Sequence, residues 1–185
     1  DGDRAKTLSL VGFAGLLFYL DWGLALVAVT EELARECPST ALCFGMHCVA
    51  TAVLAAKATP HHEERYLRRI AAGSHFTTLA LSEAGPGAHF YWPQTHLLSD
   101  QDDYIVNGTN QVVTSGSHAD SYVVTTTNAQ PGSGEAGEFS ALVLDAATPG
   151  LQWSGEWRGL GMRGNSSRTL QLENVRVPRT QLLGS

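Results

Sequence analysis

The stretch Leu79-Ala80-Leu81-Ser82-Glu83-Ala84-Gly85-Pro86-Gly87-Ala88-His89-Phe90 ends an apolar run in a hydroxyl, a carboxylate and a glycine-proline loop. Glycines let a backbone approach a ligand closely and turn N–H groups toward carbonyl or phosphate oxygens. A serine hydroxyl adds a further donor or acceptor. The same residues also suit an ordinary strand-to-strand turn whose hydroxyl satisfies local backbone. Ser82 lacks a G-x-S-x-G setting and an obvious histidine–acid pair, which argues against a serine hydrolase. Other chemistry-bearing residues carry less. His47 adjoins Cys48, but the spacing matches no common zinc pattern, and no metal is expected. Cys37, Cys43 and Cys48 are odd in number and form no CxxC pair, so a reducing, cytoplasmic setting is expected. Asn107-Gly108-Thr109 and Asn165-Ser166-Ser167 fit the glycosylation sequon, a tripeptide common by chance.

The elements that must position the loop differ on its two sides. Before it the pattern is helical. Leu26, Val29, Leu33 and Ala34 recur at helical spacing over residues 24–36. Pro38-Ser39-Thr40 stops that helix and offers caps to the next, Ala41 to Ala58, which is almost uncharged and therefore expected to be buried on all sides. His47 in it is expected as a packed or hydrogen-bonded residue. Thr59-Pro60 opens a third helix, with Tyr66, Leu67 and Ile70 inward and Gly73 as its C-terminal cap. Arg65, Arg68 and Arg69 beside Glu63 and Glu64 read as its solvated face.

After the loop the periodicity becomes two. Strands are expected at Thr77–Leu81, His96–Leu98, Tyr104–Val106, Gln111–Thr114, Ser121–Thr127, Phe139–Asp145, Gln152–Trp157 and Thr169–Val175, with a closing Val177-Pro178. Asn107-Gly108 between β-branched runs predicts a tight hairpin turn. The fold class is thus α+β: a helical bundle segment over 1–73, then a small antiparallel β-barrel or sandwich over 74–185.

The 185 residues are 43% hydrophobic and 16% charged, as in a soluble globular protein, and the net charge of −6 argues against nucleic acid as a partner. Leu8 to Val29 is long enough to span a membrane, but Asp21 and three glycines interrupt it. Two buried pieces joined by a turn at Tyr19–Gly23 are expected in its place, with no membrane partner.

Taken in order, the motifs resemble the acyl-CoA dehydrogenase family over nearly the whole chain. Glu31-Glu32-Leu33-Ala34-Arg35 is similar to its second-helix motif, and Glu64-Arg65-Tyr66-Leu67 to the run leading into its barrel. Leu81 to Ala88 is similar to its T-E-P-x-x-G-S-D signature, and Asn107-Gly108 through Thr114-Ser115-Gly116 to its N-G-x-K-x-x-I-T-N segment. Gly161-Met162-Arg163-Gly164 and Glu173-Asn174-Val175-Arg176-Val177-Pro178 are similar to its G-M-R-x-S and F-E-D-V-x-V-P elements.

The resemblance implies FAD and oxidation of an acyl-CoA or related acyl thioester to its α,β-enoyl product. It implies that Leu79, Leu81, Ser82 and Gly87 line the flavin, Leu81 and Ser82 at its pyrimidine edge, with Val112, Val113 and Thr114 against another part of the ring. It places Ala88 where the family's serine helps hold the acyl group. An electron-transfer partner and homo- or hetero-oligomers of the same family are further implications. Several positions depart from the pattern. Ala84 stands for the signature proline, Ala88-His89 for Ser-Asp, Asn110 for a lysine, and Val112 for an aromatic residue that often stacks on the flavin. The family's catalytic carboxylate lies in a C-terminal helical domain expected to be lacking here, so no catalytic residue is assigned; Glu83 belongs to the structural loop. Alternatives are a non-catalytic partner subunit or degenerate fragment of the family, and a flavin monooxygenase on the same scaffold.

Overall fold

Three helices precede seven strands in the computed structural model, which describes residues 22–86, 89, 92–127 and 139–184. The pieces expected around residues 8–21 lie outside the described residues. Helix α1 covers 22–36. Leu26, Leu33 and Ala34 are half-buried on it, whereas Val29, expected inward, is exposed. Helix α2 is Pro38–Ala56. Proline occupies its first turn and Cys37 is its N-cap, so Pro38 starts the helix and does not stand outside it. The expectation of burial on all sides does not hold: Ala41, Ala50 and Leu54 are buried, and Val49 and Val53 are exposed. α2 is long and apolar enough to cross a membrane by length and composition, but one face packs on the first strand. His47 bridges the two, its Nδ1 3.1 Å from the Thr77 carbonyl oxygen and its ring stacked on Phe76.

Helix α3 (residues 60–71) joins Pro60–His62 and Arg68–Ala71 through a π turn, Glu63–Leu67. It ends as its glycine predicts. Gly73 has φ +69°, its N–H donates to the Ile70 carbonyl, and the Ser74 N–H donates to the Arg69 carbonyl. Only glycine takes that conformation without a Cβ penalty.

The strands are β1 Thr77–Ala80, β2 His96–Asp100, β3 Asp103–Val113, β4 Ser121–Thr127, β5 Phe139–Asp145, β6 Leu151–Ser154 and β7 Arg168–Pro178. They form two sheets, of order β1-β4-β5 and β2-β3-β7-β6. β1 pairs with β4 in parallel, so the first sheet is mixed and not wholly antiparallel. The chain leaves that sheet through β2 and β3 before returning as β4, and a crossover of that length permits parallel pairing. Alternation sorts the paired rows: Leu79, Val123 and Val143 face Ala50, Leu54 and Tyr66, while Ala80, Val124 and Leu142 face Val106, Leu170 and Val175 of the second sheet. Two cores result, one between sheet and helices and one between the sheets. The pairing describes an open sandwich, with no closed barrel among the described residues.

Asn107-Gly108 is not the hairpin turn. β3 runs straight through it, and the turn lies at Gln101-Asp102, with Gln101 at φ 53°. Gly108 sits at a register shift in the β3–β7 ladder, where an added Cβ would lie 2.3 Å from Thr95 Oγ1. Close approach of β2 to β3 required this glycine, and Asn107 Oδ1 accepts the Asn174 N–H across the irregularity.

Candidate functional site

The loop after β1 is tied to β3 and to the approach of β2. The Ser82 carbonyl accepts the Gln111 N–H at 2.6 Å. Glu83 is 6% exposed and its carboxylate accepts the N–H of Gln94, the N–H of Thr95 at 3.0 Å and the Thr95 hydroxyl. Both oxygens are thereby engaged. Glu83 is a strap that holds residues 94–95 against the loop.

A second register shift, between Asn110 and Val113, shapes the other wall. Strict alternation would turn only one of Gln111 and Val112 outward. The irregularity exposes both, with Val113 returning to full burial. Beyond β3 the turn is tied to the loop before β7: Ser115 N–H donates to the Asn165 carbonyl and Gly116 N–H to that of Ser166, each at 3.0 Å. An added Cβ at Gly116 would meet Trp153 and Arg168 at 2.8 and 2.9 Å, so the close approach needs glycine.

Two cavities flank Gln111. One of about 570 Å³ is lined by Glu83, Ala84, Gln94, Thr95, Thr109 and Gln111, among others. The other, about 140 Å³, is lined by Gln111, Val112, Trp157, Ser167, Arg168 and Thr169, with Gly155 and Glu156. The Thr169 hydroxyl donates to the Gln111 carbonyl at 3.0 Å, fixing the residue between them.

The residues singled out from the sequence separate into groups. Ser82 is exposed on the loop and Val112 is exposed in the second cavity. Thr114 is 6% exposed, and neither it nor Ser82 makes a side-chain hydrogen bond to another described residue. Leu81 is half-buried at the rim of the helix-facing core. Leu79 and Val113 are different: Leu79 is packed in that core and Val113 in the core between the sheets. Their side chains are not available to a ligand, and only their backbone can line a site. Gly87 and Ala88 lie outside the described residues. Sequence reading missed Gln111, because only the irregular register turns it outward beside Val112. It also missed Trp157, which stands not in a strand but in the loop after β6, because β6 ends at Ser154.

An isoalloxazine needs an apolar wall for its rings and a few polar groups at its edge. Val112 and Trp157 line one cavity together with Gln111, apolar surface and an amide of the kinds such a ring needs, whereas Ser82 and Thr114 line neither cavity. The residues present fit one side of a flavin.

Comparison with known proteins agrees. Residues 78–175 match the family model "Acyl-CoA dehydrogenase, middle domain", and residues 11–74 match "Acyl-CoA dehydrogenase, N-terminal domain". The cyclohex-1-ene-1-carbonyl-CoA dehydrogenase of Geobacter metallireducens is 34% identical over 88% of this chain and 42% of its own length. A dibenzothiophene monooxygenase of Mycolicibacterium goodii is 30% identical over 89% of this chain and 39% of its own. The solved acyl-CoA dehydrogenase of Geobacillus kaustophilus superposes with a TM-score of 0.78 at 29% identity, over 86% of this chain and 42% of that one. The chain thus spans somewhat less than half the length of these relatives, and FAD is the cofactor that the family indicates. With both domain models matched in order and the fold shared, the chain belongs to the acyl-CoA dehydrogenase family.

Proposed function

We propose that this chain is the N-terminal and middle portion of an FAD-dependent oxidoreductase that dehydrogenates an acyl-CoA or related acyl thioester. The observation that carries the reading is the register shift at Asn110–Val113, which presents Gln111 and Val112 outward beside the loop holding Ser82. When bound, FAD supplies the acceptor for the two electrons removed as the thioester becomes its enoyl product. The residues of this chain bind and orient that group. Val112 packs on the ring, Ser82 and Thr114 offer hydroxyls to its polar edge, and the Glu83 strap keeps the loop in register with β2. Ala88 replaces the serine that holds the acyl group in the family, so this position brings no hydroxyl to the thioester. An electron-transfer protein, further copies or related chains, and a cytoplasmic setting complete the reading.

A second reading has its own support in the monooxygenase relative, whose chemistry uses oxygen on the same scaffold. Titration of the purified protein with FAD, followed by the visible flavin spectrum, tests the first claim; absence of binding at micromolar FAD refutes it. With flavin bound, slow reoxidation by oxygen supports the dehydrogenase, and rapid reoxidation supports the monooxygenase.

A further inference from the structure

Trp157 is held in a way that its loop does not need. The loop from Gly155 to Arg163 is largely exposed, with Leu160 fully so. Within it the Trp157 indole N–H donates to the Gly161 carbonyl at 2.8 Å. The ring lies against Gly159, where an added Cβ would be 2.3 Å from Cζ2 and 2.5 Å from Cε2. Ring and loop are therefore fixed to each other without membership of either core. A half-buried indole on a surface loop leaves apolar area in water, an arrangement that repays itself when another surface covers it. The ring also lines the cavity of Val112. Val112 stands where the family's aromatic platform is expected, and Trp157 comes to the same cavity from a different strand connection.

We propose that Trp157 is the flavin-contacting aromatic residue of this protein, supplied by the loop after β6 in place of the aromatic side chain absent at Val112. The proposal rests on the FAD reading above. Gly159 is its positioning residue, because any larger side chain there must displace the indole. Gln111 and Val112 complete the wall from β3, and Thr169 anchors Gln111 from β7.

The test is FAD titration of the purified protein and its variants, read by bound-flavin fluorescence, which an adjacent indole quenches. Trp157→Ala is expected to weaken FAD binding about threefold to tenfold, the range of one aromatic contact, and to brighten the bound flavin. Gly159→Ala is expected to brighten it likewise although the indole is still present. Leu160→Ala, on the same loop and fully exposed, is expected to match wild type. Val112→Trp in the Trp157→Ala background is expected to restore quenching, which a variant that merely misfolded would not do. Wild-type affinity and fluorescence in both Trp157→Ala and Gly159→Ala would overturn the proposal while leaving FAD binding intact. Failure of the unaltered protein to bind FAD would instead refute the proposed function, and this inference with it.

Discussion

Removing the Glu83 carboxylate should loosen the loop and the approach to β2 together, by an amount that depends on which oxygen is lost. Oε1 takes two of the three hydrogen bonds, from the Thr95 N–H and hydroxyl, and Oε2 takes the Gln94 N–H. Hydrogen bonds to a charged acceptor contribute about 1.5–3 kcal/mol each, and a donor orphaned in a buried site costs about 1–3 kcal/mol. Thr95 is fully buried, whereas Gln94 is exposed and can turn its N–H to water. Glu83→Ala therefore strands the Thr95 pair and should cost about 3–5 kcal/mol, less than a sum of three because the bonds share one acceptor group. Glu83→Gln can keep its oxygen toward Thr95 and oppose only the Gln94 N–H with its own NH₂, at about 1–2 kcal/mol. Urea unfolding measures the stability of each variant, and hydrogen exchange at the amides of residues 94–97 locates the change. Equal losses in the two variants, or a Glu83→Gln protein within about 0.5 kcal/mol of wild type, would refute the assignment of the two oxygens.

Three further predictions follow from particular contacts. Gly108→Ala should destabilise by about 1–3 kcal/mol in urea unfolding, because its Cβ would press on Thr95 Oγ1, Cβ and Cα at 2.3–2.8 Å. Burial, as the main cause, holds both His62 and His75 below the ordinary value of 6.5. The unfolded chain then binds protons that the folded one does not, so this contribution to stability is intact above pH 6.5 and is lost as pH falls through the depressed folded values; a His62→Gln/His75→Gln variant should show a flatter Tm profile between about pH 7.5 and 5. Ser82→Ala and Thr114→Ala should each weaken FAD binding several-fold in titration, about one neutral hydrogen bond apiece. Cys48→Ala is the better control for that pair than Cys43→Ala, because Cys43 Sγ is 3.4 Å from the Ser115 hydroxyl beside Thr114.

Much of the scaffold was legible because its causes are local. β-Branched runs bounded by turn residues locate β4 and β5 at their observed limits, Ser121–Thr127 and Phe139–Asp145. Gly73 marks the end of α3 for a reason contained in its own φ angle. Tyr66, expected to face inward, is fully buried; its hydroxyl lies 3.0 Å from both Asp145 and Gln181, and burial pushes its pKa up to about 12. The failures were equally physical. Asn107-Gly108 has the composition of a turn, yet its glycine answers to the distant Thr95. α2 is apolar throughout, and composition alone could not show which face meets β1.

The order of the motifs in the sequence by itself determined the family, and with it the flavin. The tertiary structure decided which residues can touch a ligand. Leu79 and Val113 belong to the motif segments but point into cores, because pairing with β4 and β7 sets their facing. Gln111 and Val112 turn outward together only because of a register shift against β7. Trp157 reaches their cavity through a strand connection remote in sequence. Periodicity is a property of neighbours along the chain, whereas register and cavity lining are properties of neighbours in space.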